Sequence, residues 1–385
     1  MTNCNSRALG GTSVSSARIE DLLSLAVSGL RPMFHPERQL FCYRRRLISN
    51  ALVNEGLSPR YTMMSLLGLA RCEASGRPAP LDIRAALRGL VTCTKRARNL
   101  GDFGLLLWLC GVTAPQWVTD ACDGLALRDV LKRSPEAGEG RTMELAWLLT
   151  GLAHVRLSDL VDAPCLRDTA FDVYQLLGKN QGPRGIFCHS ATNRSLRGLL
   201  RGSIGSFADQ VYPIYALAKF GQAYGVRPAL EMAHKCAEAI CQMQGPSGQW
   251  WWHYDARTGR VFERYPVYSV HQHGMAPMAL FALEEATGTD YSGAIYEGLR
   301  WVTETNELGR DLSDVGQQMI WRGVYRASRL GISTTRVMSL LGTEDQTMPV
   351  GDLLVRYECR PYELGWLLYA FSGRTSGLRA GPPDS

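Results

Sequence analysis

Residues 249–278, QWWWHYDARTGRVFERYPVYSVHQHGMAPM, are the densest polar and aromatic stretch of the chain. Trp250, Trp251 and Trp252 are flat apolar surfaces of the kind on which sugar faces or isoprenoid chains stack. Around them stand His253, Asp255, Glu263, Arg264, Tyr265, Tyr268, His271 and His273. Histidine titrates near neutrality, so His271, with Tyr265 and Tyr268, is a candidate proton carrier. Clustered titratable groups within apolar surroundings point to a ligand cleft. The competing reading buries the tryptophans in the core and leaves the charges on a solvated hairpin. His271 and His273 lie two positions apart at a helix start and point to different sides, so no metal site is expected there, and no cofactor.

Three more groups of polar residues precede apolar helical runs. Asp209, in GSFADQVYPIY, is the one acid of a neutral segment; it is either a partner for the helix dipole or a catalytic carboxylate. RYECRPYELGWLLY carries Glu358, Arg360 and Tyr362, which form either a structural ion pair or a carboxylate beside an anion-binding guanidinium. Arg60 precedes the first apolar helix and is expected at the same end of the molecule. Cys188-His189 suggests a thiolate nucleophile, but adjacent residues rarely make the required contact, so a buried thiol is expected. Phosphate-binding glycine loops, G-x-S-x-G elbows and His-Glu-x-x-His are absent.

The elements that must position these groups are mostly helical. Apolar runs with a Leu- or Trp-rich centre recur from Thr62, Gly104, Thr142, Ala208, Gly274, Gly316 and Pro361. More polar, amphipathic helices lie between them, at residues 82–99, 228–242 and 291–303. An all-apolar helix is buried on most sides, whereas an amphipathic one keeps a wet face. Six or seven such pairs close into a double ring, so the fold is read as all-α, an α/α toroid, with a short β-hairpin near residues 250–268 turning at Thr258-Gly259. One domain is expected over residues 16–374, with disordered tails at 1–15 and 375–385 and a surface loop at 135–140.

Composition narrows the class. The chain has 385 residues, 45% hydrophobic and 20% charged, which excludes disorder. A net charge of +6 favours anionic ligands and is too small for nucleic acid. The longest apolar stretch, residues 103–114, is too short to span a bilayer. Eleven cysteines without a Cys-x-x-Cys pair read as reduced, buried thiols of a cytoplasmic protein. Asn193-Arg-Ser195 is a nominal glycosylation sequon of no consequence there.

Two segments repeat each other: NQGPRGIF at 180–187 and MQGPSGQW at 243–250. Each follows an amphipathic helix, which Gly-Pro terminates. Gln244, Gly248 and Trp250, and with Phe for Trp also Gln181, Gly185 and Phe187, resemble the QW motif of the squalene- and terpenoid-cyclase α/α toroids. The resemblance implies that superfamily's fold over at least residues 165–372, with the glutamine stapling helices together. It says little about chemistry, because this plan serves cyclases, prenyltransferases, polysaccharide lyases, uronate epimerases and glycosidases. The acid and metal motifs of the cyclases are missing, and Asp311-Leu-Ser-Asp314 has the wrong spacing.

A second resemblance concerns ERYPVYSVHQHG, which is similar to the cavity-lining segments of toroidal uronate epimerases and lyases. It implies an acidic-glycan epimerase, lyase or hydrolase acting on an oligosaccharide. Tyr265, Tyr268 and His271 would carry protons, and Arg264 or Arg360 would neutralise the sugar acid. A hydrolase using Asp209 and Glu358 is the neighbouring variant. An isoprenoid-handling enzyme and a non-catalytic binding toroid are the other classes; a cavity lined by Arg, His and carboxylates favours the sugar.

Overall fold

The computed structural model describes residues 14–94, 99–122, 141–159, 164–190, 202–327 and 352–374. The expected loop at 135–140, the sequon at 193–195 and the tails apart from Val14 and Ser15 lie outside the described residues. Those two residues belong to the fold: Val14 is buried, and the Ser15 hydroxyl accepts from Arg18 N at the start of helix α1, Ser16–Leu30.

Six helices, buried nearly all round, form the inner ring: α2 (Pro59–Ala74), α4 (Leu100–Thr113), α6 (Thr142–Leu157), α8 (Ala208–Tyr224), α10 (Ala276–Thr287) and α12 (Pro361–Phe371). They pack in chain order, and α12 closes against α2. Their crossings are tight because glycine removes the side chain there. A Cβ on Gly68 would lie 2.0 Å from the Gly365 carbonyl oxygen, and one on Gly151 would lie 2.3 Å from that of Gly104. Outside them run α1, α3 (Ile83–Thr94), α7 (Pro164–Gly178), α9 (Arg227–Gln242) and α11 (Ser292–Arg300), with a short α5 (Val118–Cys122). The toroid expectation is therefore met. One helix end differs from expectation: of the helix expected over 82–99 the described part is Ile83–Thr94, and Asn99 caps α4 instead of belonging to that helix.

The two glutamine motifs work as one device. The Gln244 side-chain amide donates to the Gly248 carbonyl at 3.0 Å and, across the gap between outer helices, to Ala294 of α11 at 2.9 Å. Gln181 does the same with Gly185 at 3.1 Å and Met232 of α9 at 2.9 Å. Gly185 and Gly248 sit at φ +90° and +91°, a conformation costly for residues with a Cβ. A second glutamine completes each unit by holding both backbone groups of the aromatic. Gln210 accepts from Phe187 N at 2.8 Å and donates to its carbonyl at 2.9 Å; Gln272 accepts from Trp250 N at 3.0 Å and donates to its carbonyl at 3.3 Å. Buried backbone polar groups are thereby satisfied where no regular ladder exists.

The run from Gly316 corrects the expectation of a helix. Strands β8 (Ser313–Asp314), β9 (Met319–Ile320) and β10 (Gly323–Arg326) replace it. Its apolar residues fit alternation as well as a helical period. Gly323, at φ +151°, pairs with Tyr268, where a Cβ would meet the Val267 carbonyl oxygen at 2.1 Å. A hairpin absent from the expectations joins β2 (Leu40–Ile48) to β3 (Ala51–Leu57) through Ser49 and Asn50, both at positive φ. The expected hairpin forms from β5 (His253–Asp255) and β6 (Arg260–Glu263), beside β4 (Ile204–Ser206). Two further strands, β7 (Val267–Tyr268) and β12 (Glu358–Cys359), together with β3 and β4, each lead directly into an inner helix.

Candidate functional site at the heads of the inner helices

The inner helices run parallel, so all their N-termini meet at one end of the ring. Tyr61 and Tyr362, near the starts of α2 and α12, pack with ring centroids 4.6 Å apart and planes tilted by 37°. Residues near the ends meet likewise: the Arg71 guanidinium lies 5.2 Å from the Tyr369 ring centre. Helix N-termini favour negative charge, and four inner helices carry an acid in their first turn: Asp102, Glu144, Asp209 and Glu363.

Their partners separate them. Asp102 takes Arg60 at 2.5 Å, and that guanidinium also lies over Trp147 at 5.2 Å. Glu144 accepts from the Asn99 amide at 3.0 Å, with Arg141 3.7 Å away. Glu363 is fully buried against Arg322. Burial pushes its carboxyl upward while Arg322 opposes the shift. Guanidinium stays charged at any working pH, so the arginine pairs hold geometry and carry no protons.

Asp209 differs. It is buried, and its carboxylate accepts from Ser206 N at 2.9 Å, from the Ser206 hydroxyl at 2.8 Å and from His189 Nδ1 at 3.2 Å. The His189 side chain is half exposed (51%). Its hydrogen bond to Asp209 raises the imidazole above its ordinary value, ahead of the opposing effect of burial. With Nδ1 committed to Asp209, Nε2 is the nitrogen left to face a ligand.

The repeat explains why residue-by-residue reading weighed His189 only as a partner of Cys188 and not of Asp209. His189 follows Phe187 by two positions, and Trp252 follows Trp250 by two; Asp209 and His271 each precede the clamping glutamine. The two units thus bring equivalent positions together, His189 on Asp209 in one and Trp252 on His271 in the next, the latter stacked with centroids 6.0 Å apart. Aligning the motifs beyond their aromatic residue would have shown this pairing. Cys188, beside His189, is a buried thiol pushed up to about 11 by desolvation, as expected.

The remaining candidates divide. Tyr268 lies between Trp252 (4.9 Å) and His271 (5.3 Å), under the Arg322 guanidinium at 4.5 Å. Glu358 is held by Arg322 at 3.2 Å, Arg44 at 3.4 Å and Arg360 at 3.5 Å. Arg360 also donates to the Tyr61 hydroxyl at 2.8 Å and sits over Tyr43. His271, however, is buried, and desolvation drives it down to about 3, with Arg322 adding to the effect. Its surroundings therefore favour the neutral imidazole over the charged one. Tyr265 donates to Glu307 at 2.7 Å, and desolvation raises its hydroxyl far above the ordinary tyrosine range.

Trp250 is wholly buried against Phe207, and Trp251 binds the Met243 carbonyl at 2.9 Å, so both are core and only Trp252 lies beside Tyr268. Arg264 lies over Trp251 at 5.3 Å. Asp255 caps the hairpin turn through Arg257 N at 3.0 Å. His253 binds Glu263 at 2.8 Å, and His273 is sealed within the helix packing, driven to about 3 by burial.

Below the heads the axis is filled. Trp108 packs on Tyr215 (4.9 Å), His154, Trp366 and Tyr369, the last three each at 5.4 Å. Aromatic packing therefore closes the axis beneath the heads. Among the described residues, no helix is long and apolar enough to cross a membrane.

The sequence matches no protein-family model and no curated protein. Solved structures do share the fold. An unsaturated glucuronyl hydrolase from a Bacillus species aligns at TM-score 0.56 and 15% identity, over 92% of this chain and 96% of that one. One from Streptococcus agalactiae aligns at TM-score 0.55 and 13% identity, over 94% and 92%. A polysaccharide lyase aligns at TM-score 0.60 and 10% identity, over 96% and 99%. At these identities the likeness establishes the α/α toroid fold.

Proposed function

We propose that the protein is a carbohydrate-active enzyme that performs acid–base chemistry on an acidic, uronate-bearing saccharide at the helix heads. The observation that carries this reading is the His189–Asp209 pair. Of the four acids heading inner helices, Asp209 alone, among the described residues, is paired with a group that titrates near neutrality. His189 Nε2 would transfer the proton, and Asp209 would orient the ring and stabilise its cation. Trp252 and Tyr268 would pack against the sugar, with Tyr268 a second proton carrier, and Arg360 and Arg60 would draw in the acid group.

The charge at the heads supports a sugar over an isoprenoid: Arg60, Arg322, Arg360, Asp209 and Glu358 would make a costly wall for a hydrocarbon chain. The fold neighbours support hydrolysis or elimination among the acid–base reactions, being named as glucuronyl hydrolases and a lyase, one of them responsible for glycosaminoglycan degradation. The free cysteines fit a reducing, cytoplasmic setting.

The test is incubation with saturated and 4,5-unsaturated uronate oligosaccharides while the ultraviolet absorbance of the conjugated double bond is followed. Loss of absorbance identifies hydrolysis of an unsaturated substrate, and gain identifies elimination. No change with either set, together with no calorimetric binding, overturns the reading.

A further inference from the structure

The opposite end of the ring holds a second cluster of charge. Arg71 lies in the last turn of α2, Lys219 in α8, Glu285 in the last turn of α10 and Arg374 just beyond α12. All three cations converge on the one carboxylate: Lys219 at 3.0 Å from Oε2, with Arg374 and Arg71 sharing Oε1, Arg71 at 3.7 Å. They line a small depression whose floor is Tyr215, Phe281 and Tyr369. Arg374 lies 4.3 Å over Phe281 and Arg71 5.2 Å over Tyr369, which fixes both guanidinium planes.

The charges do not balance. Among the described residues three cations contact one carboxylate, with Glu284 acting on Arg374 from farther off, and the Lys219 side chain is only 12% exposed, so water neutralises little of it. Helix C-termini nearby offset part of the excess, at about half a charge each. The hydrogen bonds do not balance either. The two Glu285 oxygens and the Gln222 side-chain oxygen, which accepts from Lys219 at 3.1 Å, serve three multi-donor cations, and Arg71 stands 3.7 Å from Glu285, beyond hydrogen-bond range of that carboxylate. A tetrahedral oxyanion supplies more acceptors and the missing charge, and a compact ion suits so small a depression.

We propose that Arg71, Lys219 and Arg374 form a binding site for a compact phosphate-like oxyanion, separate from the helix heads and closed off from them by the aromatic plug. Glu285 occupies the cations when the ion is absent and competes with it. The proposal does not depend on the reading of the helix heads.

Isothermal titration of the full chain with inorganic phosphate at low ionic strength tests it. Saturable single-site binding is expected, weakened ~10-fold or more in Arg71→Ala and Lys219→Met, each of which removes a charge-assisted bond. Glu285→Gln is the decisive variant: removing the competing carboxylate should tighten binding several-fold, whereas a generic surface effect would ignore it. Circular dichroism confirms folding, and Arg374→Ala, near the end of the described chain, replaces either cation variant that fails to fold. A phosphate monoester binding as well as phosphate would identify an organic phosphate as the ligand; preference for phosphate would identify the free ion. Absence of binding in both native protein and Glu285→Gln overturns the proposal, as does native affinity in the cation variants.

Discussion

The two ends of the inner ring are built from the same six helices and carry opposite electrostatic problems. At the heads, exposed N–H groups and the positive dipole ends call for acids, and Asp102, Glu144, Asp209 and Glu363 supply them. At the tails, carbonyl ends call for cations, which Arg71, Lys219 and Arg374 supply in excess of Glu285. Each end answers its helices, so charge at a helix terminus is no sign of function by itself. What singles out a group is a partner of the wrong kind or number. At the heads that partner is a histidine where the other acids have arginine or asparagine; at the tails it is one carboxylate among three cations.

Five experiments break or sharpen this contrast. The largest effect is expected at the heads. Asp209→Asn or His189→Ala should lower kcat on the uronate substrate by ~10²–10⁴, the usual worth of general acid–base catalysis, with circular dichroism unchanged. Equal losses in Asp102→Asn would erase the distinction drawn between the four acids.

The wall between the ends comes next. Trp108 is wholly buried among Tyr215, Trp366 and Tyr369, so Trp108→Ala should destabilise the fold by about 3–5 kcal/mol in urea unfolding. Comparable in size, Arg322→Met strands Glu363 and weakens the hold on Glu358; removing one partner of a buried pair costs about 3–5 kcal/mol. Wild-type stability in that variant would mean that the buried cluster contributes no net anchoring.

A smaller effect concerns pH. The folded imidazole of His189 is raised above its ordinary 6.5 by Asp209. The pair's stabilisation is therefore complete below about pH 6.5 and disappears as pH rises through the folded value. Melting curves of native protein and His189→Asn should diverge most below pH 6.5 and converge above the folded value; a constant gap would show that the charge is not involved. The smallest expected effect is none. His271, driven down to about 3, should show no imidazole titration by NMR between pH 5 and 8.

How much was legible divides along the physics. Six of the seven apolar runs became inner helices, because a helix buried on all sides leaves a long, uninterrupted apolar signal. The seventh, from Gly316, was ambiguous in period and was decided by the approach of Gly323 to β7. The glutamine motifs were readable as staples, yet their long-range partners, Met232 and Ala294, were not. Of the candidates, Asp209, Tyr268, Trp252 and Arg360 lie at the helix heads. The candidates also included Trp250, Trp251, Asp255 and Tyr265, which packing and turn formation use up.

By itself, then, the sequence determined the ring, since burial pattern and helix-ending motifs are local properties that each segment carries alone. It also determined which residues stand at helix starts. Only the tertiary structure decided which partners those residues meet. His189 and Asp209 are twenty positions apart and become a pair because Gln210 clamps the Phe187 backbone to the start of α8. His271, with the same residue type as His189, lost its proton affinity through burial beside Arg322. A side chain's protonation depends on its neighbours and its solvent, and neither is written at its own position.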